Sequence, residues 1–363
     1  MPPSPDSAPM PPSGHRVTMA QIAAKAGVHT TTVSLALRNH PSLPDATRQR
    51  IQELAARMGY TPDPALRALV AHRRGVTGIG GGRTLAYLTN WDSPWAWKGA
   101  VAHLKFFEGA QAAAKRLGYQ LEHFWQGEPH LRDHRLSDIL QARGIQGLIV
   151  ASQSHENDRR LGLDWDRFCA VKIDLFPHEP RIDIVTNDQR NILRTAFHRV
   201  RAHGYRRIGF AVRKVWDECS DECWSSGFLG VQQFLPEAER IPLLFLDSPT
   251  DNASHDITTR QLGPWLAQHK PDALIGYEAT LLPALRQLGL AVPADLGFAD
   301  ICLHRQDGQT AGVFEHCDKV GERAVELLSG KLDLNLRGIP TTHCITNVDG
   351  TWCDGASLPR RNT

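Results

Sequence analysis

From about residue 84 onward, short apolar runs alternate with longer stretches of helical period, and this alternation restricts the fold more than any other feature of the chain. The expected strands are Leu85–Leu88, Gln120–Phe124, Gly147–Ala151, Ala170–Ile173, Ile184–Val185, Arg207–Val212, Pro242–Leu246, Ala273–Ile275 and Leu296–Ala299. Between them lie amphipathic stretches such as "FFEGAQAAAKRLGY", "RLSDILQARG", "RNILRTAFHRVRAHGY", "LGPWLAQHK" and "LLPALRQLGL". Strands that alternate with helices pair in parallel, and the helices cover both faces of the sheet. The 280 residues of 84–363 exceed one ordinary sheet, so two doubly wound lobes are expected. In such folds a ligand binds beyond the carboxyl ends of the strands, here the cleft between the lobes.

The segment before the alternation is built differently. Residues 1–16, "MPPSPDSAPMPPSGHR", are rich in Pro and Ser, with no charged start leading into an apolar stretch. They are expected to be a disordered tail rather than a secretion signal. A helical domain is expected over 17–60, then a linker over 61–83 that ends in the glycine run Gly75–Gly82, and the two-lobed body over 84–363. Charge follows the same division. Residues 1–74 hold nine Lys or Arg and four acids, a balance of +5, whereas the rest holds 32 bases and 35 acids, a balance of −3. A basic head on a mildly acidic body points to a polyanionic partner for the head alone.

Within the head, "VTMAQIAAKAGVHTTTVSLAL" reads as two short helices joined at Gly27. A small residue is needed where two helices cross closely, which Ala23 supplies, and β-branched Val33 closes the apolar corner. Ile22, Ala26, Val28 and Leu37 complete the inner face, which leaves Thr30, Thr31, Thr32, Ser34 and Leu35 outside. Short hydroxyl side chains on an outward helix suit entry into a DNA major groove, because the backbone approaches closely and the hydroxyls meet phosphates and bases. Pro44 and Asp45 suit the start of a third helix, buried through Ile51, Leu54, Ala55 and Met58.

Together, "VTMAQIAAKAGVHTTTVSLAL" and "TRQRIQELAARMGYTPD" resemble the head of the lactose-repressor (LacI-type) family of bacterial transcription regulators, through about residue 74. In the body, "VTNDQRNILRTAFHRVRAHGYRRIGF", "VPADLGFAD" and "GVFEHCDKVGERAVELL" resemble family segments too. The resemblance implies a homodimer, probing double-stranded operator DNA of pseudo-palindromic sequence, usually as a repressor. It also implies a body like the periplasmic sugar-binding proteins, with a small-molecule effector between its lobes. Carried over by position, it puts Thr30, Thr31 and Leu35 on bases and Thr18, Thr32, Ser34 and Thr47 on phosphates. The family usually has Arg where this chain has Leu35; leucine can pack on a thymine methyl but cannot pair with guanine.

Asp63 and Pro64 suit the start of a further short helix, "ALRALVAHRR", which is marginal alone in water. The resemblance implies that Leu69 wedges into the minor groove. An ordinary linker helix, with Leu66 and Leu69 packed on the body, is the alternative. For the effector, matched positions imply contacts from Asp188, Trp224, Tyr277, Glu278 and Glu315. Trp224 stands where the family commonly has a sugar-gripping arginine. The loop Asn90–His103 adds Trp91, Trp95 and Trp97. Aromatic faces with carboxylates suit a carbohydrate, and they also suit a cation. Packing of lobe on lobe, or of protomer on protomer, is an equal claim on each tryptophan.

No P-loop, H-E-x-x-H or G-x-S-x-G occurs, and "GIGGGR" does not complete G-x-G-x-x-G. No enzymatic activity and no cofactor are expected. Cys219 and Cys223 are four apart with no second pair at ligand spacing, so no metal is expected. Seven scattered cysteines argue for a reducing compartment, and no apolar run has membrane-spanning length, so a cytoplasmic protein without a membrane partner is expected. A nucleoid-like architectural protein, or an enzyme fused to a DNA-binding head, are the rival functions; ligand-dependent sequence-specific binding or turnover would separate them.

Overall fold

A computed structural model describes residues 17–37, 40, 42–60, 83–128, 134–151, 161–175, 179–247 and 254–361. The tail over 1–16 and the linker over 61–82, with Asp63, Pro64, Leu66 and Leu69, lie outside the described residues. The head and the body (Arg83–Ser329 with Arg337–Thr363) fall into separate units.

Among the described residues the head has three helices: α1 Met19–Ala26, α2 Thr30–Leu37 and α3 Asp45–Arg57. Thr18 starts α1 through a capping box, its hydroxyl accepting from the Gln21 N–H while the Gln21 side chain takes the Thr18 N–H at 2.8 Å. Gly27 ends the helix in the left-handed region, φ 67°, where a Cβ would be strained. Ile22, Ala23, Val33, Ala36, Ile51 and Ala55 are buried together, with Val17, Met19, Leu43, Met58 and Tyr60 packed around them. Ala36 and Leu43 were not among the expected inner residues. Gln52 of α3 donates to the Ala36 carbonyl at 2.8 Å, which holds the end of α2.

The body contains two six-stranded sheets. In chain order its elements are β1 Arg83–Thr89, α4 Val101–Arg116, β2 Tyr119–Trp125, α5 His134–Ala142, β3 Gly147–Val150, β4 Cys169–Ile173 and β5 Ile184–Asn187. There follow α6 Gln189–Ala202, β6 Ile208–Arg213, α7 Lys214–Cys219, α8 Cys223–Gln232, β7 Leu244–Leu246, α9 Ser254–His269, β8 Ala273–Gly276 and α10 Glu278–Gln287. The last are β9 Gly297–Leu303, β10 Ala311–Phe314, α11 Cys317–Leu334, β11 Ile345–Val348 and β12 Thr351–Cys353.

The first sheet has the order β11-β5-β4-β3-β1-β2 and the second β12-β10-β9-β8-β6-β7. Every pairing is parallel except β10 with β12. Central strands such as β3, β4, β6 and β8 are buried along their whole length, as a sheet covered on both faces requires. In the second sheet, Phe210 and Ile275 pack with Phe197 and Phe228 on one face, while Leu274 and Phe298 pack with Leu262 and Leu285 on the other.

Two doubly wound lobes are therefore present, and all nine expected strands form. Three strands were not anticipated: β10, beside β9, and the edge strands β11 and β12. β11 is "ITNV", exposed at Ile345, Thr346 and Asn347, and only the neighbouring β5 makes it a strand. The late strands also return the chain to each sheet in turn, so it passes between the lobes three times: after Asn187, after Phe314 and after Val348.

Candidate nucleic-acid interface and inter-lobe cleft

Burial of Val33 and Ala36 fixes which side of α2 faces out. Thr30 and Thr31 are exposed, and Thr32, Ser34 and Leu35 are half-buried beside them. α2 also has a start that the sequence reading missed. His29 Nδ1 lies 2.6 Å from the Thr31 hydroxyl and accepts from the Thr31 N–H, so His29 caps the helix in the way Ser or Asp usually does. An imidazole directly before a helical run was the available signal. Thr18 is exposed but its hydroxyl already serves α1, and Thr47 sits half-buried in the first turn of α3. Asp45 pairs with Arg48 in that same turn. Leu69 lies outside the described residues.

In the body, the carboxyl ends of the strands bring together most of the expected effector residues and several others. Tyr277 directly follows β8, with its ring edge-on to Trp216 at 5.1 Å and to His304 at 6.3 Å. Burial pushes its phenol up to about 12. Glu278 opens α10, and its backbone N–H and that of Cys302 serve the Asp300 carboxyl in the middle of β9. Asp300 is 2% exposed, and its pKa is pushed up to about 7, by burial first and by the acids around it. Asp174, directly after β4, is raised by burial as well, and two residues earlier Lys172 is lowered to about 8 for the same reason. Lys172 and Asp174 come from one lobe, whereas Asp221 and Cys219, which interact with them, come from the other. The carboxyl ends of the two sheets therefore face each other.

Glu315, 3% exposed, accepts from Gln189 Nε2 at 3.0 Å, and burial pushes it up to about 7. Trp224 packs in the core of the second lobe with its indole N–H on Gln189 Oε1 at 2.8 Å. Asp188 caps α6 by accepting the Asn191 N–H at 2.9 Å. The two contacts of Gln189 were invisible in the sequence because their partners come from other elements. Asp174, Asp300, Trp216 and His304 were missed too. Their signal was position, within a few residues of a strand's carboxyl end.

The tryptophan loop divides. Trp97 is 1% exposed and packs between Tyr87 and Phe107, so it belongs to the core. Trp91 lies edge-on to His103 at 4.9 Å, and its carbonyl takes the Trp125 indole N–H. Trp95 is 54% exposed, with the Lys98 ammonium 4.0 Å above its ring. Among the described residues no group of three metal-ligating side chains occurs, and no helix is long and apolar enough to cross a membrane.

Comparison with known proteins adds to this geometry. The family model described as "Bacterial regulatory proteins, lacI family" matches residues 18–63. The HTH-type transcriptional regulator PtxS of Pseudomonas putida is 29% identical over 331 residues, 87% of this chain and 90% of that protein. The HTH-type transcriptional regulator MalR of Streptomyces coelicolor is 26% identical over 313 residues, covering 78% and 80% respectively. Among solved structures, a transcriptional regulator CelR–cellobiose complex matches with TM-score 0.54 at 17% identity, over 94% of this chain and 100% of that one. The lac repressor dimer bound to operator and the anti-inducer ONPF matches with TM-score 0.54 at 16% identity, over 95% and 100%. At such identities the two structures speak to the fold alone.

Proposed function

We propose that this chain, whose head matches the lacI family model over residues 18–63, is a helix-turn-helix, DNA-binding transcription regulator of that family that binds a pseudo-palindromic operator as a homodimer under the control of a small carbohydrate-like effector. The observation that carries the reading is the outward face of α2. Thr30 and Thr31 are free of the core that Val33 and Ala36 occupy, and the helix is short enough to enter a major groove. In this reading Thr30, Thr31 and Leu35 meet bases, Thr18, Thr32, Ser34 and Thr47 meet phosphates, and Leu69 enters the minor groove. The basic balance of the head supplies the sequence-independent attraction.

Three exposed apolar side chains on the second lobe, Leu229 on α8, Phe234 just beyond it and Phe245 on the edge strand β7, support a second copy as the covering partner. The gathering of Trp216, Tyr277, Glu278 and Asp300 on the second sheet supports a polyhydroxylated effector, whose C–H faces stack on rings while its hydroxyls reach carboxyls. Solved relatives of this fold carry cellobiose and glucose, which favours the same class. Repression of target genes follows if operator binding blocks the polymerase.

The test begins with selection of binding sites from random DNA by the full chain, followed by thermal melting with cellobiose, glucose and gluconate. A two-fold-symmetric consensus and a ligand-dependent rise in melting temperature are expected. Absence of any enriched sequence would sink the DNA assignment. An enriched sequence with no melting shift from any ligand would sink the carbohydrate assignment and leave the first intact.

A further inference from the structure

Of the three passages between the lobes, two meet at one buried side chain. Glu315 follows β10. Its Oε1 accepts from Gln189 Nε2 at 3.0 Å, and its Oε2 accepts from Cys317 Sγ at 3.7 Å. Its backbone carbonyl takes the Asn187 side-chain amide, while Cys317 Sγ also approaches Asn187 Oδ1 at 3.7 Å. Asn187 and Gln189 belong to the first passage, Glu315 and Cys317 to the second. The third joins through the backbone, where the Asp188 N–H donates to the Val348 carbonyl at 3.0 Å.

The orientation of Gln189 is forced. An indole N–H only donates, so the amide oxygen must face Trp224, and the amide nitrogen must then face Glu315. An ionised carboxylate meets that nitrogen with a charge-assisted bond and takes the Cys317 thiol proton at its other oxygen. Protonation removes the charge and half of that accepting capacity. Both oxygens of Glu315 thus serve the crossover, where the family resemblance had implied contact with effector.

We propose that Glu315 is the positioning residue of the lobe crossover, clamping the first and second passages together when ionised and loosening them when protonated. The inference concerns the body alone and holds whether or not its ligand is a carbohydrate.

The surroundings make that proton exchangeable near neutrality. Asp174, at the end of β4, disfavours the charge on Glu315, and Lys172 beside it acts on Asp174 in the opposite sense. Asp300 and Cys302 face the carboxyl from β9, Tyr277 from just after β8 and Cys317 from α11, with Asp318 behind it. Glu278 acts on Asp300 from α10. Burial dominates, and together these groups hold Glu315 at about 7, although Gln189 and the two thiols favour its ionised form.

The test is hydrogen–deuterium exchange on the full chain at a series of pH values from about 6 to about 8.5, corrected for intrinsic exchange, following peptides that carry residues 184–193 and 345–350. Wild type is expected to lose about tenfold in protection at these crossovers on going to the lower pH, the difference between a charge-assisted and a neutral hydrogen bond. Glu315→Gln, neutral at every value, is expected to show low protection throughout and no such drop. Gln189→Leu removes a donor that favours the ionised form, so its midpoint is expected at higher pH than wild type. Equal pH profiles for wild type and folded Glu315→Gln would overturn the proposal. If Glu315→Gln fails to fold, an unmoved midpoint in Gln189→Leu overturns it instead. Neither result bears on effector identity, which melting with ligands decides separately.

Discussion

Alanine at Gly321 would place its Cβ 1.9 Å from the Phe106 carbonyl oxygen and 2.7 Å from the Ala110 N, both backbone atoms of α4. The approach is reciprocal, since a Cβ at Gly109 of α4 would lie 1.9 Å from the Asp318 carbonyl oxygen of α11. Helix propensity alone favours alanine over glycine by about 0.8–1.0 kcal/mol, so an exposed helical glycine gains by the change. Overpacking costs about 1–3 kcal/mol where neighbours can yield. Here the opposing atom is a carbonyl already committed to its own helix and unable to rotate away, which puts the cost at the upper end. Subtracting the propensity gain leaves a net destabilisation of about 2 kcal/mol for Gly321→Ala. Gly230, on α8, has nothing within 4 Å of its would-be Cβ, so Gly230→Ala should stabilise by a few tenths to about 1 kcal/mol. Urea denaturation followed by circular dichroism compares the two at equal slope. A Gly321→Ala protein as stable as Gly230→Ala would refute the close crossing of α4 and α11.

Two further outcomes are expected. Leu35→Arg should move the operator consensus toward a guanine in each half-site, by about 1–3 kcal/mol for a bidentate contact, measured by selection on random DNA; an unchanged consensus would show that Leu35 does not read bases. His103 has its pKa lowered to about 4 by burial, below the ordinary imidazole value. The unfolded chain therefore binds this proton more readily, and stability from this site is present above about pH 6.5 and is lost as pH falls toward 4. His103→Leu should remove that loss, so its stability relative to wild type should rise by up to about 2 kcal/mol between pH 8 and pH 5. A difference between the two proteins that is flat across this range in denaturation curves would show that His103 takes up its proton alike in the folded and the unfolded chain.

Local features of this chain were legible as they stood. Gly27 needed a left-handed turn, Val33 and Ile22 needed an interior, and the threonines of α2 had no apolar work to do, so the head and its outward face followed from helical period alone. The same holds for the central strands, whose apolar runs are long enough to announce burial on both faces. What the sequence could not contain was any relation between distant segments. "ITNV" is a strand only because β5 offers a ladder to it 161 residues earlier, at Ile345 opposite Ile184. Trp97 read as well for a ligand as for packing until Tyr87 and Phe107 closed over it. Glu315 matched an effector position by alignment of motifs, yet its oxygens meet Gln189 and Cys317 because β10 delivers the carboxyl to the point where the chain changes lobes. Propensity and pattern act over a few residues, and so they can be read in one dimension. Hydrogen-bond partners and the burial that shifts a carboxyl's pKa depend on which strands become neighbours, and only the folded chain decides that.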